Sequence, residues 1–333
     1  MNKDDFKNIW VYIESADGVA KKIGLEILTP AKELAAKAGE KVVAIVIGSN
    51  VESVAKEAIE YGADQAIVVD SAEYAKYSTD AYTYALSSLS EKYKPAAILL
   101  GATQDGRDFA PRAAAKLNTG CIADSIGLSL DEAKNIVWTC ASYGGNIYTE
   151  LVCDEARPQI GTIRSSTFKK GEADSSRTGE IVKEAISFAE DTLKAKVVEA
   201  VKEISEAVNL EEAEIIVAGG RGMGSEENFK LIKDFADLMG GVVGATRAPI
   251  EAGWISRAHQ IGQSGKSVAP KLYIACGISG ATQHVAGISG CDYIVAINKD
   301  EEASIFDIAN VGIVGNVMDV IPAMMEEIKK TMA

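Results

Sequence analysis

At 333 residues the chain is too long for one typical hydrophobic core and predicts two domains. Its 47% hydrophobic and 25% charged residues are the balance of a globular protein, and no apolar run approaches the roughly 18 residues of a membrane span, so membrane insertion is not expected. A net charge of −14 opposes binding to phosphate backbones, so no nucleic-acid partner is expected either.

The acidic start Met1-Asn2-Lys3-Asp4-Asp5 has neither the apolar core of a signal peptide nor the arginines of a transit peptide, which predicts a cytoplasmic protein. Short runs rich in Val and Ile then alternate with stretches of helical length: Ile9 to Ile13, Val42 to Ile47, Ala66 to Val69 and Ala96 to Leu100. Runs of that length suit strands buried on both faces, and the alternation predicts a parallel sheet. Between Ile122 and Ile163 the pattern changes. Ile136 to Tyr143, Gly144-Gly145 and Ile147 to Val152 read as a hairpin with a glycine turn, so antiparallel strands are added to this domain. The polar stretch Lys169 to Glu180 reads as a linker or exposed loop, and a helix is expected over 194–208. A second series follows, with strands at Ile215 to Ala218, Val242 to Ala245, Leu272 to Ala275, Tyr293 to Ile297 and Gly312 to Val314, closed by a helix over Val317 to Met332. The fold expected is α/β with two mainly parallel sheets, the first domain over 1–193 and a doubly wound second domain over 194–333.

In open α/β sheets ligands bind beyond the carboxyl ends of the strands. In the second domain those ends carry Gly219-Gly-Arg-Gly222, Thr246-Arg247, Gly277-Ile-Ser-Gly-Ala-Thr-Gln-His284 and Asn298-Lys-Asp300. Glycines let backbone approach a ligand, and N–H groups opening a helix suit an anion, so 277–284 is the phosphate candidate; an ordinary strand-to-helix turn fits it equally well. After the first strand, Glu226 and Glu227 open the helix and disfavour phosphate there, which leaves Arg221 as the contact. Gly265-Lys266-Ser267 is not a nucleotide-triphosphate loop: Gln260 stands at its first glycine and Pro270 blocks a following helix. The loop 260–267 suits the edge of a heteroaromatic ring, with a solvated surface loop as the alternative.

The two histidines, 259 and 284, have no third ligand at metal spacing; His284 reads as a hydrogen-bonding or charge-stabilising residue, while for His259 an exposed loop residue and a role at the site fit equally well. In the first domain Asp105 caps a helix in Gly101 to Arg112, a turn or subunit contact in preference to a nucleotide site. The five cysteines, at 121, 140, 153, 276 and 291, form no C-x-x-C pair and read as buried thiols. No serine–histidine–acid set or carboxylate pair stands out, so no residue is assigned to catalysis.

Taken in order, Gly219 to Gly222, Thr246-Arg-Ala248, Gln260-Ile-Gly-Gln-Ser-Gly-Lys266, Val268-Ala-Pro270, Gly277 to His284 and Ile297 to Asp300 closely resemble the alpha subunit of electron-transfer flavoproteins. The first domain resembles that family's N-terminal domain, with less distinctive motifs. The resemblance implies a C-terminal domain that binds FAD and an N-terminal domain that contacts a beta subunit carrying AMP or a second FAD. It implies a carrier of electrons between an acyl-CoA dehydrogenase or similar flavoenzyme, as in fatty acid oxidation, and an acceptor, or a part in an electron-bifurcating system. By the same resemblance Arg221, Ser279, Gly280, Ala281 and Thr282 serve the pyrophosphate and ribityl chain. Thr246, Arg247, Gln260, Ile261, Gly262, Gln263, Ser264 and Gln283 surround the ring, with the Ser264 hydroxyl near N5, His284 near O2 and Arg247 stabilising the reduced anion. Asn298, Asn316 and Val317 reach the adenosine. The chain departs from the family in having Ser264 where threonine is frequent, Thr246 where serine is, and Asn316 where aspartate is. The flavin has to approach different partners, so a hinge is expected near 170–210. The competing readings are a flavin- or nucleotide-dependent oxidoreductase with its own substrate and a nucleotide-binding sensor.

Overall fold

The computed structural model describes residues 2–142, 147–188, 193, 209–211 and 213–332. The expected Gly144-Gly145 turn and the expected helix over 194–208 lie outside the described residues. The chain divides into two compact units, Met1–Val201 and Lys202–Ala333. Among the described residues no helix is long and apolar enough to cross a membrane.

The first unit opens with β1 (Ile9–Tyr12), a small ribbon of β2 (Ser15–Ala16) and β3 (Val19–Ala20), and α1 (Lys22–Ala38). It continues through β4 (Val42–Gly48), α2 (Glu52–Glu60), β5 (Gln65–Asp70), α3 (Thr79–Tyr93), β6 (Ala97–Gly101) and α4 (Gln104–Lys116). Then come β7 (Cys121–Leu130), β8 (Ile136–Ser142), β9 (Ile147–Val152), β10 (Gln159–Ile163) and β11 (Glu180–Lys183). These strands form a nine-stranded sheet in the order β11-β5-β4-β1-β6-β10-β7-β8-β9. Its strands pair in parallel from β11 to β7, and β8 and β9 add antiparallel, as expected. The continuous apolar runs are explained by burial on both faces: Ile9 and Val11 of β1 join the core under α1 and α2, while Trp10 and Tyr12 join the one under α3 and α4.

Two readings are resolved in this unit. The stretch 169–180 does not leave the unit as a free linker. Arg177 donates through Nε to the Ile59 carbonyl at 3.2 Å and pairs with Asp64, and the chain runs on into β11, which pairs with β5. Of the two alternatives the sequence left for this stretch, the exposed loop holds, with residues 169–176 exposed. At the turn before α4 the cap is Thr103, whose Oγ1 accepts from Gly106 N–H at 3.0 Å, and not Asp105. Arg107 and Arg112 are held by Asp124 and Asp80, so the turn reads as structural.

The second unit contains β12 (Ile215–Gly219), α5 (Glu226–Met239), β13 (Val242–Ala245), α6 (Arg247–Glu251), β14 (Leu272–Cys276), α7 (Thr282–Val285), β15 (Ile294–Asn298), β16 (Val311–Val314) and α8 (Val317–Met332). All five strands are parallel, in the order β13-β12-β14-β15-β16. Val217 faces Phe229, Ile232 and Phe235 of α5 and Ile321 of α8, while Ile216 and Ala218 face the opposite core with Ile261, Ala275 and Ile278. Both sheet faces are thus covered, and the sheet is doubly wound.

Candidate functional site

Strand order reverses between β12 and β14, and at such a switch point the loops leaving neighbouring strands part to either face and open a crevice. Here the two loops also touch. Gly220 N–H donates to the Cys276 carbonyl and Gly222 N–H to the Gly277 carbonyl, each at 2.9 Å. A side chain cannot be inserted at this contact: a Cβ on Gly222 would lie 2.7 Å from the Gly277 oxygen. Beyond the contact lies a cavity of about 910 Å³, walled by the loops after β12, β13, β14 and β15. The α5 terminus takes no part in the wall; Ser225 caps it by accepting from Asn228 N–H at 3.2 Å.

The loop 260–266 is closed on itself. Gly262 N–H donates to the Lys266 carbonyl at 3.1 Å, Lys266 N–H to the Gln260 carbonyl at 2.8 Å, and Gly265 N–H to the Gly262 carbonyl at 2.9 Å. Gln263 N–H donates to the Gln283 carbonyl at 2.7 Å, which fastens the loop to α7. The Gln260 amide donates to Ser264 Oγ at 3.0 Å, so the hydroxyl is held without the methyl that a threonine would use. Arg247 opens α6 and lines the wall; its side chain is mostly solvent-exposed, and Nε donates to Glu251 at 2.7 Å.

His284 is buried on the wall, with Nδ1 3.1 Å from the Ile261 carbonyl and Nε2 3.0 Å from the Tyr273 hydroxyl. Burial pushes its pKa down to about 4, so it carries no charge near neutrality. His259 is neither exposed nor on the cavity wall: it is buried, with Nδ1 2.8 Å from the Val243 carbonyl of β13.

Of the residues singled out in the sequence, Arg221, Thr246, Arg247, Gln260, Ile261, Gly262, Gln263, Ser264, Ser279, Ala281, Gln283, His284 and Asn298 line this one cavity. Gly280, Thr282, Asn316 and Val317 do not. Gly280 turns the chain at φ +88° beneath Ile305, and Thr282 is exposed at the start of α7. Asn316 accepts from Met318 N–H at 3.1 Å as α8 begins, and Val317 is buried against Ile321 in the core. The 315–317 segment nonetheless adjoins the wall, because Gly315 N–H donates to the Asn298 carbonyl at 2.9 Å. Sequence reasoning missed Glu302, Ala303 and Ser304, which complete the wall beside Ser279, whose carbonyl accepts from Ile305 N–H. They follow β15, and the strand-end rule that found Asn298 reaches them if it is carried four residues further.

The chain matches two family models, the electron transfer flavoprotein domain over residues 9–189 and the electron transfer flavoprotein FAD-binding domain over 209–289. It is 47% identical over 327 residues to the electron transfer flavoprotein subunit alpha of Thermoanaerobacterium thermosaccharolyticum, covering 98% of this chain and 99% of that one. The chain belongs to the electron transfer flavoprotein alpha subunits. The alpha subunit of Megasphaera elsdenii is 46% identical, covering 99% of this chain and 98% of that one. A third relative, at 38% identity over 99% of this chain and 78% of its own length, is lactate dehydrogenase (NAD(+),ferredoxin) subunit LctC of Acetobacterium woodii.

An electron transfer flavoprotein alpha subunit has FAD as its cofactor and a beta subunit as its partner. The cavity fits that cofactor. Its volume lies within the range of about 300–1,000 Å³ common to cofactor sites. It offers glycine-permitted close backbone approach and arginine at Arg221 and Arg247, and a hydroxyl and amides gather in one loop.

Proposed function

We propose that FAD lies in the cavity with its pyrophosphate by Arg221 and the 279–282 turn and its ring against Gln260 to Ser264. The adenosine end points to Asn298 and the Asn316-Val317 segment. The carrying observation is that the loops of four successive strands meet on one cavity whose glycines, arginines and amides match the two ends of a flavin dinucleotide. Bound FAD supplies storage for one or two electrons. Arg247 supplies a fixed positive charge toward the ring, which favours reduction. Ser264 accepts from Gln260, so its own proton is left to donate to a ring nitrogen. Thr246, Ile261, Gly262 and Gln283 shape the slot, and His284 backs it.

The site is a relay between proteins in the cytoplasm, with the domain expected over residues 1–193 contacting the beta subunit and the one over 194–333 carrying FAD. The donor is a flavin-dependent dehydrogenase of the acyl-CoA class. A relative named acryloyl-CoA reductase electron transfer subunit beta, from Anaerotignum propionicum, at 38% identity over 355 residues, supports a partner enzyme that acts on an acyl-CoA, there in the reducing direction. The test is the absorption spectrum of the purified heterodimer mixed with an acyl-CoA dehydrogenase and its substrate. A yellow complex that bleaches supports the carrier, whereas a colourless protein that binds only AMP or ATP contradicts it. The LctC relative favours a second reading, in which the complex splits electron pairs. Flavin content separates the two: one FAD with AMP per heterodimer for the simple carrier, two FAD for the splitting system.

A further inference from the structure

We propose that Tyr273 is a positioning residue of the flavin site: its hydroxyl holds His284 as a neutral imidazole in the Nδ1–H tautomer, which leaves Arg247 as the cation at the ring. This rests on the reading that the ring lies against the 260–266 loop.

The tautomer follows from the two contacts. The Ile261 carbonyl can only accept, so Nδ1, 3.1 Å away, carries the proton. Nε2 of a neutral ring is then an acceptor, and the Tyr273 hydroxyl at 3.0 Å is the donor that meets it. A charged imidazole would need the phenol to accept instead, in largely buried surroundings: Tyr273 is fully buried and His284 is 6% exposed. The elements around the ring offer no counter-charge. β14 presents Tyr273, with the thiols of Cys276 and Cys291 behind it, the ring loop presents a carbonyl, and no carboxylate pairs with His284 among the described residues.

Both imidazole nitrogens are therefore committed within the protein, and the ring acts as a strut. It connects the core of β14 to Ile261, and Gln263 N–H to the Gln283 carbonyl ties the same loop to α7. Removing the phenol oxygen leaves Nε2 without a donor and frees the ring to change tautomer, which loosens the loop that carries Ser264.

The chain has two histidines, so a heterodimer assembled from the ¹⁵N-histidine-labelled chain and an unlabelled beta subunit gives a spectrum with two rings to assign. For His284 the expected result is one protonated and one bare nitrogen, unchanged from about pH 5 to about pH 8, the interval in which an ordinary histidine titrates. Tyr273→Phe is expected to retain FAD, to move the bare-nitrogen signal toward a tautomer average, and to shift the flavin midpoint potential. A charged ring or an Nε2–H tautomer in the wild type overturns the proposal without need of any variant. So does a Tyr273→Phe heterodimer in which neither nitrogen signal moves. If the tautomer is as expected but the His284 signals ignore reduction of the bound FAD, the ring placement fails while the Tyr273 pairing stands.

Discussion

At the scale of single residues the site divides into groups that carry charge and groups that hold shape. Arg247→Ala is expected to lower the flavin reduction potential; a unit charge about 4 Å away contributes between about 1 and about 4 kcal/mol, toward the lower figure because this side chain is solvent-exposed. An unchanged potential in a redox titration would count against the residue's role. Ser264→Ala removes one hydroxyl already fixed by Gln260, so FAD is expected to stay bound while the potential shifts; a flavin-free variant would make the residue structural. His284 gives a pH signature. Between its ordinary pKa of 6.5 and its folded value of about 4, the unfolded chain binds a proton that the folded one does not. Its contribution therefore lowers stability as pH falls through that window and vanishes above it. The cost is about 2 kcal/mol on going from about pH 7 to about pH 5. In urea titrations followed by flavin release, His284→Gln should show a shallower loss of stability over that interval than the wild type; equal slopes would show that another group dominates. Residue types at the site were legible in the sequence because strand ends can be located from apolar runs. Their commitments were not: burial of His259 and the double pairing of His284 depend on the Val243 and Ile261 carbonyls and on Tyr273, distant in sequence and ordinary in local pattern.

At the scale of elements, the strand ends and their glycine turns decide whether the cavity exists. Gly280 has φ +88°, and a Cβ there would meet the Ile305 nitrogen at 2.2 Å. Gly280→Ala is expected to cost about 1–3 kcal/mol and to weaken FAD binding, because the turn that carries Ser279 must move. Wild-type flavin occupancy in this variant would show that the turn is not part of the cofactor cradle. The buried parallel strands were readable because uninterrupted Val and Ile runs have few other uses. β10 and β11 were not separately identified. β10 is five residues long yet central, paired to β6 and β7, and β11 follows a polar stretch whose composition reads as a loop. What fastens that stretch is Arg177 reaching backbone carbonyls of the α2–β5 turn, a contact invisible to composition.

At the scale of the whole molecule, two mainly parallel α/β sheets on one chain leave ligand chemistry to the sheet whose strand ends carry glycine and arginine. In the first unit the corresponding turn is occupied by its own contacts, with Thr103 bonded to Glu14 at 2.5 Å and Arg112 paired with Asp80. The second unit keeps its strand-end loops around a cavity. A carrier needs a cofactor, its tuning groups and a partner subunit, and this arrangement requires no acid–base pair of its own. The most direct measurement is a crystal structure of the heterodimer purified with its flavin. The account predicts FAD density in the cavity of the second unit, with the ring between Arg247 and Gln263-Ser264 and the pyrophosphate by Arg221 and Ser279. A flavin bound elsewhere, or a ring turned away from the 260–266 loop, would contradict it.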